Sequence, residues 1–82
     1  MPPPLLCGMD RAAMQERLMQ AEARVIEGNR GIALQRKLVR TLEADGLPSA
    51  GAKRLLAQYE ESQAASIAER DRLAKELFGR EN

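Results

Sequence analysis

Apolar residues in the first half of the chain recur every seven positions. A second set of positions follows each member of the first set by three residues. The first set is Leu18, Val25, Ile32 and Val39, and the second is Ala21, Gly28, Gln35 and Leu42. Alternate spacings of three and four are typical of a seam, the line along which two supercoiled helices pack. The pattern therefore predicts a long helix that packs against a second helix.

Residues that end and start helices follow this stripe at positions 45–49. Gly46 suits the left-handed position just beyond a helix, and Pro48 cannot continue one. Ser49 is a residue type that caps a helix start, and Gly79 suits the left-handed position after a second helix. The sequence thus predicts a helix over 11–44, a turn over 45–49 and a helix over 50–78.

The second predicted helix has its own stripe, which the turn brings against the first in antiparallel order. We expect Gly28 to face Ile67 and Ile32 to face Gln63. The small residues Gly28 and Ala21 would then meet the larger Ile67 and Leu73. The predicted fold class is an all-α, coiled-coil-like antiparallel two-helix hairpin. Its predicted seam residues are Leu18, Val25, Gly28, Ile32, Val39, Leu42, Leu56, Tyr59, Gln63, Ile67, Leu73 and Leu77.

Two glycines lie inside the first predicted helix, at Gly28 and Gly31. Either the helix continues and Gly28 makes room for its neighbour, or a kink or ligand-binding loop interrupts it. Anion-binding glycine loops follow a strand, and the sequence predicts none here. The pattern favours the continuous helix.

The segment 1–9 contains three prolines, which do not start a helix. We predict a disordered lead there, with Asp10 as the cap of the first helix. Whether Met1 or Met9 is the natural start stays open. The segment lacks the basic region of a signal peptide, so the expected location is the cytoplasm.

Composition argues against several kinds of chemistry. Cys7 is the single cysteine and the chain has no histidine, so ligands for a metal site are scarce. We find no nucleophile–base pair and no cofactor motif. No apolar run approaches the roughly 20 residues of a membrane helix. We expect a protein that is not an enzyme and has no cofactor, small-molecule substrate or membrane partner.

Charge is nearly balanced, at +1, but positions 30–54 hold six basic and two acidic residues. The candidate anion contacts near the turn are Arg36, Lys37, Arg40, Lys53 and Arg54. They could contact phosphate, yet no aromatic residue interleaves them for base stacking. The favoured interpretation is a solvated face, and nucleic acid is not the expected partner.

Three polar residues fall on the predicted seam: Gln35, Gln63 and Arg70. Such residues commonly fix register and partner choice. The alternatives are a polar binding site between the helices and, for Arg70, an aliphatic stem on the seam with its guanidinium directed outward.

From Glu22 onward, the chain resembles a group of small uncharacterised helical-hairpin proteins of alpha-proteobacteria. The resemblance covers about three quarters of the chain. It rests on residues 23–28, 35–36, 42–43, 45–46, 54–57, 59–61, 63, 70–73 and 75–77. The chain departs from the group in lacking histidine and in having Pro48 and Gly51 where relatives carry acidic residues. The resemblance implies a two-helix hairpin and no established activity.

Apolar residues off the seam suggest a second packing face. They are Met19, Ile26, Ala33, Leu34, Leu55, Ala64, Ala65 and Ala68. Such a face would let two hairpins form a four-helix bundle, although scattered apolar surface residues are also common. We therefore expect a non-enzymatic protein–protein interaction module that binds a second copy or another helical protein. The alternative is a small nucleic-acid- or anion-associated regulator that binds through the basic turn end.

Overall fold

The computed structural model describes residues 11–79 and contains two helices, α1 (Arg11–Ala44) and α2 (Ala50–Phe78). They pack side by side in antiparallel order, as the Glu43–Lys53 ion pair beside the turn and the Gln63–Val25 hydrogen bond further along both helices show. The predicted all-α hairpin and its helix bounds are confirmed. The predicted disordered lead and the predicted Asp10 cap lie outside the described residues.

The chain reverses at a Schellman motif, a helix end stabilised by two reversed hydrogen bonds. Gly46 has a φ of 69° and donates its N–H to the Glu43 carbonyl at 3.1 Å. The Leu47 N–H reaches back to the Leu42 carbonyl at 2.8 Å. These bonds satisfy carbonyls that the end of α1 leaves without a helical partner. Pro48 follows at once, so the helix cannot resume.

Two predicted helix ends differ in detail. Ser49 lies before α2, and its carbonyl accepts the first helical bond from Lys53, but its side chain makes no capping bond. Its φ of −122° and ψ of 2° lie outside the extended conformation that aims a side chain at the first turn. The predicted left-handed Gly79 is wrong. Its φ is −67°, and its N–H donates to the Lys75 carbonyl, so the last turn ends without a reversal.

Helix α1 runs through Gly28 and Gly31 without interruption. This outcome settles the alternative that the sequence left open in favour of a continuous helix. The two glycines differ in surroundings. A β-carbon at Gly31 would meet nothing within 4 Å, whereas one at Gly28 would overlap the side-chain amide of Gln63.

The hairpin is a single layer of helices, with extents of 65 × 25 × 14 Å. Within residues 11–79, the cluster of mutually packed buried side chains lies at the end remote from the turn. It comprises Leu18, Ala21, Leu73 and Leu77, with Met14 and Ala74 packed against it. By contrast, residues 50–62 of α2 include no buried side chain. Neither helix is long and apolar enough to cross a membrane.

Candidate interaction surface

Gln63 joins the two helices at mid-length. Its side-chain Nε2 donates to the Val25 carbonyl at 2.8 Å and to Asn29 Oδ1 at 2.9 Å. The amide occupies the space that a β-carbon at Gly28 would need. The expectation that Gly28 faces Ile67 is therefore wrong. Ile32 and Gln63, the other expected pair, line the same groove between the helices. The glycine admits the glutamine, so the residue against Gly28 lies four positions, about one helical turn, before the expected Ile67.

A second glutamine joins the helices nearer the turn. Gln35 is buried in α1, and its Nε2 donates to the Ala52 carbonyl of α2 at 3.1 Å. Among the described residues, every buried side-chain nitrogen and oxygen has a hydrogen-bond partner. Burying an amide without such a partner is costly. Gln35 and Gln63 thus act as register-fixing contacts.

The remaining predicted seam residues differ in how deeply they are buried between the helices. The buried ones are Leu18, Val25, Ile32, Val39, Leu73 and Leu77. The half-buried ones are Gly28, Leu42, Leu56 and Ile67. Tyr59 is the exception, because 39% of it is exposed. Four residues before Gln63, it lies at the edge of the contact and lines a surface groove there.

That groove marks one broad side of the hairpin, which we call the leucine face. It has a volume of about 460 Å³ and includes Gly31, Tyr59, Ser62 and Ser66 in its lining. Helical spacing places three leucines on the same side: Leu34 and Leu38 follow Gly31 by three and seven residues, and Leu55 precedes Tyr59 by four. The exposed fractions are 70% for Leu34, 44% for Leu38 and 39% for Leu55.

The opposite side, which we call the alanine face, is interrupted by charge. A second groove of about 350 Å³ lies there, lined by Ala33, Ala64 and Ile67 among others. Arg36 and Glu60 form an ion pair of 3.0 Å across it. Met19 and Ile26 continue this face along α1 at intervals of seven residues, with exposed fractions of 64% and 54%.

The candidate anion contacts are partly engaged within the hairpin. Arg36 pairs with Glu60, and the Lys53 ammonium lies 2.6 Å from Glu43. The other three candidates are Lys37, Arg40 and Arg54, which form no ion pair within residues 11–79. Two of the five cations are therefore already paired with carboxylates of the same hairpin.

Arg70 lies partly buried beside the core, and its guanidinium bonds outward to Asp71 at 2.8 Å. This geometry agrees with the predicted aliphatic stem on the seam. Near it, the pKa of Glu69 lies below its usual value because Arg72 donates a hydrogen bond to it at 2.9 Å. The same bond raises the pKa of Arg72. A carboxylate held ionised in this way suits a surface ion pair better than proton transfer.

Sequence reasoning missed two apolar members of the leucine face, Leu38 and Tyr59. Leu38 lies one turn beyond Leu34 on the same side, and this spacing could have identified it. Tyr59 was assigned to the seam because it has the right period. Among the described residues, no three His, Cys, Asp or Glu side chains are grouped so that they could hold a metal ion.

Comparison of the chain with protein-family models, curated proteins and solved structures finds no match. The resemblance to alpha-proteobacterial helical-hairpin proteins stays a prediction.

Proposed function

We propose that this chain is a non-enzymatic helical interaction module that associates with a second copy of itself. The observation that carries the proposal is the lack of buried side chains over residues 50–62 of α2. That stretch nevertheless holds Leu55, Leu56 and Tyr59. Helices in proteins are stabilised mainly by packing an apolar face, yet inside one hairpin Leu56 is only half-buried and Leu55 and Tyr59 each stay 39% exposed.

The small core supports the same proposal. The packed cluster of Leu18, Ala21, Leu73 and Leu77 covers one end of a single helical layer. Domains of this size bury a small share of their surface and are marginal in stability. A second hairpin laid on the first supplies the missing layer, as in a four-helix bundle.

Sequence-independent binding of nucleic acid or another anion is the alternative function. It would use the cations near the turn, because neutralising phosphate charge gives affinity. Arg36 and Lys53 are already paired with carboxylates. The exposed leucines have no part in that alternative, so we prefer association between helices.

Light scattering coupled to size-exclusion chromatography tests the proposal. At about 100 μM, above the micromolar limit for interfaces of standard size, we expect a mass that is a multiple of 9.1 kDa. Binding should persist at high salt because the contact is apolar. A folded species of 9.1 kDa at that concentration would contradict self-association.

A further inference from the structure

We infer that the second copy packs on the leucine face in antiparallel orientation, related by a two-fold axis that lies between the copies and perpendicular to the helices. This inference rests on the proposed self-association and adds its face and geometry. Three observations carry it: the leucine face lacks charge near the turn, its apolar pairs lie at one level, and its flanking charges are self-complementary.

The leucine face is the less costly of the two faces to desolvate. Arg24 and Glu27 line the groove of this face at its end remote from the turn. Nearer the turn, from Gly31 to Leu38 on α1 and from Leu55 to Ser66 on α2, the residues assigned to the face carry no charge. On the alanine face, the Arg36–Glu60 pair lies across the groove. Covering that pair would remove two charges from water, and the desolvation penalty can exceed their mutual attraction. A second copy is therefore better accommodated on the leucine face.

The two apolar pairs on this face define a common symmetry axis. Leu34 and Leu38 are one turn apart on α1, and Leu55 and Tyr59 are one turn apart on α2. Both pairs lie on the turn side of the Gly28–Gln63 contact, and counting from that contact puts their midpoints within two residues of one level, or about 3 Å. An axis that crosses α1 between the first pair therefore passes close to the second pair on α2. It places Leu34 over Leu38 of the second copy and Leu55 over its Tyr59.

This arrangement also sets the extent of the contact. The overlap runs from the turn to about residue 28 of α1, which is about 24 Å at 1.5 Å per residue. Two neighbouring helices are about 20 Å wide. The area of contact is then about 500 Å² per copy. The total of about 1,000 Å² is close to the lower limit for a specific interface. The expected dimer is long, with the packed clusters at its two ends.

The charges beside the α2 pair are complementary under the same axis. Arg54 precedes Leu55, Glu61 follows Tyr59, and neither forms an ion pair within residues 11–79. The Arg54 guanidinium reaches toward Gly51, with its Nη2 3.8 Å from the position of a β-carbon there. Antiparallel packing of α2 on its copy brings each Arg54 near Glu61 of the other copy. The net charge of +1 sets no long-range barrier to that approach.

Sedimentation velocity on the full chain and four variants tests this geometry. Leu34→Glu on the leucine face should raise the dimer Kd on the order of a hundredfold, because it buries an unpaired charge. The matched control Ile26→Glu, on the alanine face, should leave the Kd within about threefold. Arg54→Glu should raise it about tenfold by placing like charges together. Arg54→Glu combined with Glu61→Arg should restore the wild-type value.

The outcomes separate this inference from the proposed function. A monomeric wild type overturns both. A dimeric wild type that is weakened by Ile26→Glu but not by Leu34→Glu, or equally by both, overturns the face and leaves self-association standing. Failure of the charge swap to restore binding, with helicity unchanged by circular dichroism, overturns the antiparallel arrangement.

Discussion

Gly28 and Gln63 are matched across the hairpin, because the glycine lacks the β-carbon whose space the glutamine amide occupies. The amide then reaches the Val25 carbonyl and the Asn29 side chain. This contact requires a glycine on one helix and a long polar side chain on the other. It therefore favours one register of the two helices over the neighbouring registers. One turn along α1, Gly31 is the residue that lacks a β-carbon, but nothing lies within 4 Å of that position.

This match predicts opposite roles for the two glycines of α1. Alanine at either position improves helix propensity by up to about 1 kcal/mol. Gly31→Ala should therefore stabilise the protein. Gly28→Ala should be less stable than Gly31→Ala by about 1–3 kcal/mol, because its β-carbon displaces the buried Gln63 amide. Urea denaturation of both variants measures this difference in the free energy of unfolding. Both variants replace a helical glycine by alanine, so the gain in helix propensity is the same in each and does not contribute to the difference.

The Gln63→Ala background provides the control. Removing the amide makes room at position 28. In this background Gly28→Ala and Gly31→Ala should therefore change the free energy of unfolding by similar amounts. Equal effects of the two alanines in the wild-type background would show that Gly28 is not a close-packing position.

The helix bounds could be predicted because local residues determine them. The turn at Gly46 and Pro48 uses a positive φ and a missing N–H, and both are properties of single residues. The period of seven likewise gave the buried positions Leu18, Val25, Ile32 and Val39 directly. No tertiary information is needed for either inference.

The register could not be predicted in the same way. Counting back from the turn assumes that every seam residue reaches equally far, whereas Gln63 extends into the gap at Gly28. The position of Tyr59 depends on this pairing as well. Its period places it on the seam, yet the structure puts it at the edge of the leucine face. The two faces could not be told apart either, because the Arg36–Glu60 pair forms only once the helices have docked.

The basic cluster gives a separate prediction. We expect no mobility shift of duplex DNA, single-stranded DNA or RNA at low salt, because two of its five cations are already paired with carboxylates and the net charge is only +1. Lys37→Glu with Arg40→Glu, at exposed positions of α1, should leave helicity unchanged. Binding by the wild type that weakens with salt and disappears in this variant would instead support the regulator alternative.

Glu69 and Arg72 give a prediction about pH. The hydrogen bond from Arg72 lowers the pKa of the Glu69 carboxyl in the folded protein. The bond therefore contributes stability above the ordinary pKa of a glutamate, and this contribution is lost as the pH falls through the lowered value. A carbon-detected NMR titration should show Glu69 titrating below the usual range. Arg72→Gln should return the pKa of Glu69 toward its usual value. The matched control Arg36→Gln should leave the pKa of Glu69 unchanged.

An unchanged Glu69 titration in Arg72→Gln would show that the ion pair does not persist in solution. Arg72 is exposed and Glu69 keeps about a third of its side chain in solvent, so the effect on the free energy of unfolding should be small.

The most direct test of the account follows helicity and mass together on dilution. Because residues 50–62 bury no side chain inside one hairpin, folding and association should be linked by mass action. Far-UV circular dichroism and sedimentation equilibrium are measured on the same samples from about 100 μM to about 1 μM, which spans the weak end of standard interfaces. The account predicts that helicity falls as the dimer dissociates. Full helicity in a 9.1 kDa monomer across that range would contradict it.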